Sequence, residues 1–312
     1  MVGTIQSFTY SYSPIATGQT TVYEVGDNGT HQTGVARSYT DNGDGTVTDN
    51  YSGLVWQKCS VGQNNDSSCS GTATGMNWQD AGNYCSSSSL AGKSWRLPTV
   101  NELVDLVDYG KYNPAIDTIF MSGLINHSVY WSSNTFLPFP DFAFSPHSES
   151  GYLNGTEKRS EAFFRCVSGI ASTYQIFVDN LNGTVIDKKT GLTWQKCSAG
   201  LNNDATCTGT ATNHQWVDSI NYCSVLTLAG KTWRLANVNE LRSLIDFEQT
   251  SSISINNIFF PNTHLYSYYW STSSILDYPT QHWSVNFQFG GNLGIHIPHS
   301  SANTAVRCVS GP

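Results

Sequence analysis

The sequence predicts an α+β protein made of two tandem copies of one loop-rich module. The first observation is an internal repeat, because segment 45–103 aligns without a gap with segment 183–241 and 37 of 59 positions are identical. The second is that short strand patterns and short helical patterns occur in the same order in both copies. The third is that the eight cysteines divide evenly, four to each copy. Each module is therefore expected to hold two short helices, short strands, long loops and two disulfides.

The repeat divides the chain into three parts. Residues 1–38 form a leader rich in Thr, Gly, Ser and Tyr, whose alternating segments 8–12 and 20–23 predict short strands that pack as an edge strand on the first module. Residues 39–170 form the first module and residues 171–312 the second. The leader lacks a basic region followed by an apolar core, so we expect no signal peptide in this chain.

Each module is predicted to begin with a β-hairpin. In the first module the turn 41–45 leads into the strand 46–49, and a second turn returns the chain through 54–58. The Asp-rich first turn also resembles a calcium loop. Its counterpart, 179–183, has Leu181 where a calcium loop would not, so a glycine-dependent turn is favoured over a structural calcium site.

Two short helices follow the hairpin. Trp78, Ala81 and Cys85 recur at helical spacing and predict an amphipathic helix whose cysteine faces the core. Thr99 is expected to cap the second helix, with Glu102 reaching back to the cap in a capping box. In the second module asparagine replaces this threonine, and asparagine caps at least as well. The cap chemistry persists although the residue changes, which indicates the same local structure twice.

The cysteines favour two disulfides in each module, although four cysteines allow three pairings. We favour the pairs Cys59–Cys69, Cys85–Cys166, Cys197–Cys207 and Cys223–Cys308. The first pair of each module would close a polar loop with little else to hold it, and the second would tie a helix to the last strand. Zinc is the less favoured alternative, because the chain has no C-x-x-C motif. Disulfides indicate an oxidising compartment, which is the periplasm, the cell surface or the extracellular space.

Composition argues against two classes of partner. The net charge is −8 and no stripe of basic residues is present, whereas nucleic acids and anionic membranes reward clustered Lys and Arg. No apolar run approaches the roughly 18 residues that a membrane helix needs. We therefore expect no nucleic acid partner and no membrane insertion.

The chain carries no recognisable catalytic motif. It has neither a G-x-S-x-G elbow nor an H-E-x-x-H sequence, and full pairing of the cysteines would leave no thiol nucleophile. His296 and His299, with His282 as a third ligand, form a weak metal candidate, and surface histidines are favoured instead. We expect a non-enzymatic protein with no catalytic residues, no metal site and no cofactor.

Four short segments together resemble one known family. They are the hairpin sequence 45–57, Trp95–Thr99 with Glu102 and Leu103, Tyr-Trp-Ser-Ser at 130–133, and Arg-Cys-Val at 165–167. In combination they are similar to the Lcl C-terminal domain family, a module of a bacterial collagen-like adhesin and of many exported proteins. The similarity spans both modules and covers nearly everything after residue 38.

The resemblance implies a specific form of the α+β class. It implies two tandem C-type lectin-like modules, each with two short helices, a small twisted antiparallel sheet, long loops and two disulfides. It also implies a disulfide from the first helix to the last strand, which agrees with the favoured pair Cys85–Cys166. The second module departs from the family motif at Ala236, where the motif has proline.

The two modules diverge in one half only. Segments 134–164 and 273–306 share almost nothing, and in a lectin-like fold this half carries the ligand-facing loops. A constant scaffold with variable loops is typical of binding proteins. The alternation in the second module predicts that Trp283, Val285 and Phe287 point inward and their polar neighbours outward. The predicted ligand-binding residues are Asp277, Tyr278, His282, Asn286, Gln288, Asn292 and His296.

These observations favour a secreted or surface-exposed binding protein. We expect it to recognise a glycan or protein on a host or neighbouring cell, in adhesion or as a receptor. The acidic triplets of calcium-dependent sugar lectins are absent, so a calcium-bridged sugar site is not expected, and aromatic stacking is left as a way to hold a glycan. The alternative is a self-associating structural subunit of a surface filament or appendage, with Phe136, Phe139 and Phe142 at an interface.

Overall fold

Each module is built on a small antiparallel sheet with short helices beside it. The structure is a computed structural model of the 312-residue chain. It describes residues 13–117, 119, 124–125, 127–137, 139–171, 175–248, 253–265, 267–276, 278–288, 292–296 and 304–311. Within these ranges, only the backbone is described for residues 154, 279 and 292–296.

The helices and strands are numbered in chain order. The helices are α1 (Asn28–His31), α2 (Trp78–Ser87), α3 (Val100–Asp105), α4 (Trp216–Ser224) and α5 (Val238–Arg242). The strands are β1 (Tyr39–Asp41), β2 (Thr46–Asp49), β3 (Val55–Gln57), β4 (Phe142–Pro146), β5 (Leu153–Glu157), β6 (Val167–Ser168), β7 (Phe177–Asp179), β8 (Thr184–Asp187), β9 (Thr193–Gln195), β10 (Arg234–Leu235), β11 (Tyr268–Ile275), β12 (Tyr278–Asn286), β13 (Asn292–His296) and β14 (Cys308–Ser310).

The main sheets of the two modules have matching order. Strands β1-β2-β3-β6 form the first sheet. Strands β7-β8-β9-β14 form the second in the same order, and β10 adds a fifth strand beside β14. All neighbours are antiparallel. The predicted hairpins are confirmed, with Val47 opposite Trp56 and Val185 opposite Trp194. The divergent halves form two further sheets, β4-β5 and β11-β12-β13. Few helices with several small antiparallel sheets make the fold α+β, as expected.

The leader differs from its prediction. Among its described residues, segment 20–23 forms no strand, while segment 8–12 lies outside the described residues. The Gln19 side-chain amide donates to the Thr21 carbonyl oxygen (3.0 Å), and the Tyr23 amide donates to the Asp27 carboxylate (2.9 Å). Side chains thus satisfy backbone groups that a strand would pair in a ladder.

The capping boxes of α3 and α5 are confirmed. The Thr99 hydroxyl accepts from the Glu102 amide (3.3 Å), and the Glu102 carboxylate accepts from the Thr99 amide (2.7 Å). Arg96 donates to both oxygens of the Glu102 carboxylate at 2.8 and 2.6 Å, and Arg234 does the same to Glu240 at 2.7 and 2.6 Å. The arginine of the Trp-Arg-Leu motif therefore fixes the capping glutamate by a bidentate ion pair.

All four favoured disulfides are confirmed. The short pairs, Cys59–Cys69 and Cys197–Cys207, have Cα atoms 5.3 Å apart, and the long pairs, Cys85–Cys166 and Cys223–Cys308, have them 5.5 Å apart. The long pairs tie α2 and α4 to the last strand region of their modules. Because all eight cysteines are paired, none is free as a nucleophile.

The two modules share one hydrophobic core where they meet, and we call this meeting surface the seam. Tyr109 packs edge-on against Trp283 with ring centroids 4.9 Å apart, and Phe247 packs edge-on against Phe144 at 5.1 Å. All four rings are buried in the same cluster. The seam therefore holds two aromatic contacts, each joining one module to the other.

These two contacts are reciprocal. Phe247 follows Tyr109 by the 138-residue offset that relates the aligned segments. Phe144 and Trp283 are equivalent because their carbonyl oxygens accept hydrogen bonds from the serines twelve residues before them, at 2.7 Å in both modules. The position of Tyr109 and Phe247 in one module thus contacts the position of Trp283 and Phe144 in the other, which is the pattern of an isologous dimer. The chain has a pseudo-two-fold axis at the seam.

The leader crosses the seam instead of packing on the first module alone. Its Thr17 carbonyl oxygen accepts from the Tyr109 amide of the first module (2.7 Å). Its Ile15 carbonyl oxygen accepts from the Asn239 side chain of the second module (2.9 Å). The leader therefore lies on one side of the pseudo-two-fold axis and breaks the symmetry of the modules.

Candidate functional site

The predicted ligand-binding residues lie on or beside β12 and β13. Tyr278, His282 and Asn286 belong to β12, and Gln288 follows it. Asp277 lies outside the described residues, and the structure describes only the backbone of residues 292–296, which include Asn292 and His296. The role of these residues in ligand binding stays a prediction.

His282 does not point to solvent, so this part of the prediction is wrong. Its ring is 4% exposed and stacks on Trp216 with centroids 3.5 Å apart and planes 5° apart. Its Nδ1 lies 2.9 Å from the Ser274 hydroxyl oxygen. Burial lowers the pKa of His282 to about 3, so the ring is neutral at physiological pH. It is a packing residue of the second module's own core.

The physical reason is that β12 is covered on both faces where His282 lies. Trp283, Val285 and Phe287 are buried in the shared core, as the alternation predicts. The opposite face, which the alternation assigned to solvent, lies under Trp216 and Trp270. Alternation distinguishes two faces of a strand, but it does not tell whether the second face meets water.

The remaining described candidates are at least partly exposed. Tyr278, at the start of β12, has half of its surface exposed. Asn286 and Gln288 are half-buried, and the Asn286 side chain accepts from the Gln288 amide (2.6 Å), which shapes the chain after β12. Tyr278 is therefore the best placed of them to meet a large ligand.

Tyr278 is near enough to a group of polar side chains from the first module for its charge to act on one of them, Tyr112. The Glu149 carboxylate accepts from the Tyr112 hydroxyl (2.6 Å) and is paired with His127 Nδ1 (2.9 Å). The hydrogen bond to Glu149 is the main cause that raises the pKa of Tyr112, and the charge of Tyr278 adds to it. The same hydrogen bond lowers the pKa of Glu149. We call Tyr112, His127, Glu149 and Tyr278 the rim cluster.

Sequence reasoning missed three of the four members of the rim cluster. Tyr112, His127 and Glu149 are far apart in the chain, and no spacing rule connects them. They come together because the segments around 112 and 127 flank the β4–β5 hairpin; the Ala115 amide donates to the Ser148 carbonyl oxygen at 3.1 Å. Within the rim cluster, Glu149 comes from the divergent segment of the first module and Tyr278 from that of the second.

A second candidate is a cleft of about 330 Å³ at the seam, which we call the seam cleft. This volume is within the usual range of ligand pockets. Amide, hydroxyl and charged side chains predominate in its lining. The lining residues are Pro14, Ile15, Tyr51, Thr99, Asn101, Asp105, Asn134, Gln175, Asp187, Lys189, Thr190, Asn239, Arg242, Ser243, Ile245, Asp246, Phe247, Glu248 and Asn256.

An ion pair between α3 and α5 forms part of the seam cleft. The Arg242 guanidinium contacts the Asp105 carboxylate (2.5 Å) and donates to the Asn101 side-chain oxygen (3.2 Å). Burial of Arg242 acts to lower its pKa, but the charge and hydrogen bond of Asp105, together with the charges of Tyr109 and Tyr51, outweigh it and the pKa is raised. The Arg242 Nε atom has no hydrogen-bond partner among the described residues. The pair crosses the seam and joins the capped helices of the two modules.

Neither candidate is assembled as a metal centre. Among the residues that the structure describes, no group of three or more His, Cys, Asp or Glu side chains could hold a metal ion. In the Asp-rich turn, the Asp41 carboxylate is paired with Lys58 (2.7 Å) and accepts from the Gly43 amide (3.0 Å). Gly43 and Gly45 have φ values of 74° and 84°. These carboxylates and glycines serve the turn itself, as the favoured alternative predicts.

None of the described helices is both long and apolar enough to cross a membrane.

The model of the Lcl C-terminal domain matches the chain twice, over residues 45–168 and 183–310. No curated protein matches the chain. Since the two matches cover most of the sequence, the chain belongs to the Lcl C-terminal domain family and carries two copies of the domain in tandem.

Proposed function

We propose that this chain is a non-enzymatic recognition protein of the cell surface or extracellular space, where it binds a glycan or protein of a host or neighbouring cell. The observation that carries the proposal is the rim cluster. Glu149 and Tyr278 bring the divergent segments of the two modules into it, while the main sheets of the modules match. Four disulfides and the absence of a membrane-spanning helix among the described residues are compatible with such a location.

The chemistry of the rim cluster suits recognition. Tyrosine offers a rigid, amphipathic surface that loses little conformational entropy on binding, and tyrosines are enriched in binding sites for this reason. Tyr112 and Tyr278 are both exposed and come from different modules. The Glu149 carboxylate and His127 ring add hydrogen-bonding groups between them. Aromatic faces beside a carboxylate can hold either a sugar ring or a protein loop.

We further infer that each module has a C-type lectin-like fold of the kind found in bacterial adhesins. This rests on the family and on the disulfide Cys85–Cys166, which joins the first long helix to the last strand region. An experimental structure would test it. Modules whose strand order could not be superposed on a C-type lectin domain would contradict the inference.

Binding of the intact chain to glycan and surface-protein arrays tests the proposed function. We expect saturable binding that a calcium chelator leaves unchanged and that Tyr112→Ala and Tyr278→Ala each weaken. Phe139→Ala is the matched control, because Phe139 is a similarly exposed aromatic residue outside the rim cluster. Equal loss in all three variants, or binding that neither tyrosine variant affects, would contradict recognition by the rim cluster.

A second candidate function is that of a structural subunit of a surface filament. Phe139 is 56% exposed and stacks on Phe136 with centroids 6.0 Å apart, while Phe136 packs edge-on against the buried Phe144 at 4.9 Å. An exposed ring anchored to the core is suited to an interface. Concentration-dependent assembly that Phe139→Ala abolishes, together with no binding on the arrays, would favour this function.

A further inference from the structure

The leader shows how an extended peptide is held at one side of the seam. Three donors hold its main chain at successive points. The Tyr51 hydroxyl donates to the Ser13 carbonyl oxygen (3.1 Å), the Asn239 side chain to that of Ile15 (2.9 Å), and the Tyr109 amide to that of Thr17 (2.7 Å). The carbonyl oxygens of Ser13, Ile15 and Thr17 are thus bound by two side chains and one backbone amide, so the peptide is held through its main chain.

The pseudo-two-fold axis places equivalent donors on the other side of the seam. The residues related to Tyr51, Asn239 and Tyr109 by the 138-residue offset are Lys189, Asn101 and Phe247. All three line the seam cleft. Within the described part of the chain, no hydrogen-bond acceptor is found for the Lys189 ammonium, the Asn101 side-chain nitrogen or the Phe247 amide.

A further pair of contacts supports this equivalence. Arg37, at the end of the leader, donates to the Val107 carbonyl oxygen of the first module, and Gln175, 138 positions later, donates to the Ile245 carbonyl oxygen (3.1 Å). Arg37 also donates to the Ala16 carbonyl oxygen of the leader (2.6 Å). Gln175 lines the seam cleft. Gln175 thus occupies the position from which Arg37 reaches the leader, and its Nε2 atom also donates to the Ser243 carbonyl oxygen (2.6 Å).

We propose that the seam cleft is a binding seat for an extended peptide segment of a partner protein, held through its main chain as the leader is held on the opposite side. This site is distinct from the rim cluster and does not depend on the function proposed for it. The segment would have small side chains like Ala16 and Thr17. Its carbonyl oxygens would accept from Asn101, Phe247 and Lys189.

The two sides of the seam differ at one residue, and this difference sets the path and the charge expected of the peptide. The leader passes Gly110 so closely that a Cβ atom there would collide with the Gly18 carbonyl oxygen. The equivalent residue in the seam cleft is Glu248, which has a side chain and is exposed. A peptide must therefore turn away from the seam at this point, next to the carboxylate. A lysine or arginine after the small residues would pair with Glu248, so the partner segment is expected to be basic there.

Two acetylated, amidated peptides provide the test on the full chain. The neutral peptide has the leader sequence Ser-Pro-Ile-Ala-Thr-Gly-Gln, and the basic peptide has lysine in place of its glycine. Fluorescence anisotropy at low salt is expected to show saturable binding of both, with the basic peptide bound several-fold more tightly. Glu248→Gln should remove that preference and leave the neutral peptide unaffected.

Asn101→Asp tests the donor itself. This variant keeps the oxygen that accepts from Arg242 and removes the nitrogen that would donate to the peptide. It is read with the neutral peptide, so that the added carboxylate has no lysine to attract, and should weaken binding by at least about two- to tenfold, the worth of one hydrogen bond. Asn83→Asp, on the exposed face of α2, is the matched control and should bind normally. Tyr278→Ala, in the rim cluster, should also bind normally.

Three outcomes would overturn the proposal. The first is absence of saturable binding of either peptide to a chain whose thermal unfolding is normal. The second is binding that Asn101→Asp and Glu248→Gln both leave unchanged. The third is dimerisation of the chain that Asn101→Asp abolishes while both peptides stay unbound, which would assign the seat to a second copy.

Discussion

Replacing Trp283 by alanine is the most direct test of the shared core. Trp283 is 2% exposed and packs edge-on against Tyr109 of the other module. Truncating a buried tryptophan to alanine costs about 3–5 kcal/mol, because the lost transfer free energy adds to that of the cavity. The aromatic contact itself accounts for about 1 kcal/mol of this. In a chain of this size the melting temperature should fall by about 5–8 °C.

The informative result is how the loss is distributed between the modules. Because one core serves both, we expect a single cooperative transition in wild type, and one transition at lower temperature in Trp283→Ala. Calorimetry of the oxidised protein gives the number of transitions. Hydrogen exchange gives the protection of amides in each module, and β2 and β3 of the first module should lose protection although the substitution lies in the second.

The control is Phe139→Ala, an exposed position where truncation should change the free energy of unfolding by less than about 0.5 kcal/mol. Two separate transitions in wild type would refute the idea of a shared core. So would a Trp283→Ala variant in which only second-module amides lose protection, because the modules would then be stabilised independently.

Three further predictions concern single interactions. Acidification below pH 6.5 should lower the free energy of unfolding by about 1.4 kcal/mol per pH unit through His282. Burial holds its folded pKa near 3, so the unfolded chain binds the extra proton. In urea titrations from pH 4 to 7, the free energy of unfolding should depend less steeply on pH in His282→Gln. Arg234→Met should cost about 3–5 kcal/mol, because it leaves the buried Glu240 carboxylate without its positively charged partner. Adding Glu240→Gln to this variant should recover part of the loss in thermal melts. Replacing Cys59 and Cys69 by serine should cost about 2.7 kcal/mol in the same melts, from the unfolded-chain entropy of a loop spanning a separation of 10 residues, and no loss at all would show that the turn holds without it.

Local features of the fold were predictable from the sequence because their causes lie close together in the chain. The capping box of Thr99 and Glu102 needs only four consecutive residues, and the hairpin of β2 and β3 needs one turn. The disulfides were predictable because the same four cysteines occur twice. Comparing the halves of one chain supplied information that a single module would not have given.

The surroundings of the divergent strands were not predictable in the same way. His282 and Trp283 alternate as a half-exposed strand would, yet the first packs on Trp216 and the second on Tyr109. Whether a polar residue faces water depends on a neighbouring module that leaves no trace in local periodicity. The seam cleft was missed for the same reason, because Asn101 and Arg242 meet only when the modules pack.

The covalent link between the modules changes how the seam responds to dilution. Two separate subunits joined by an isologous interface dissociate when their concentration falls below the dissociation constant. Here the partner surface is tethered to the same polypeptide, so its effective concentration is set by the linker and stays high in any volume. Folding of the pair is then a first-order process, and the seam persists however far the protein is diluted.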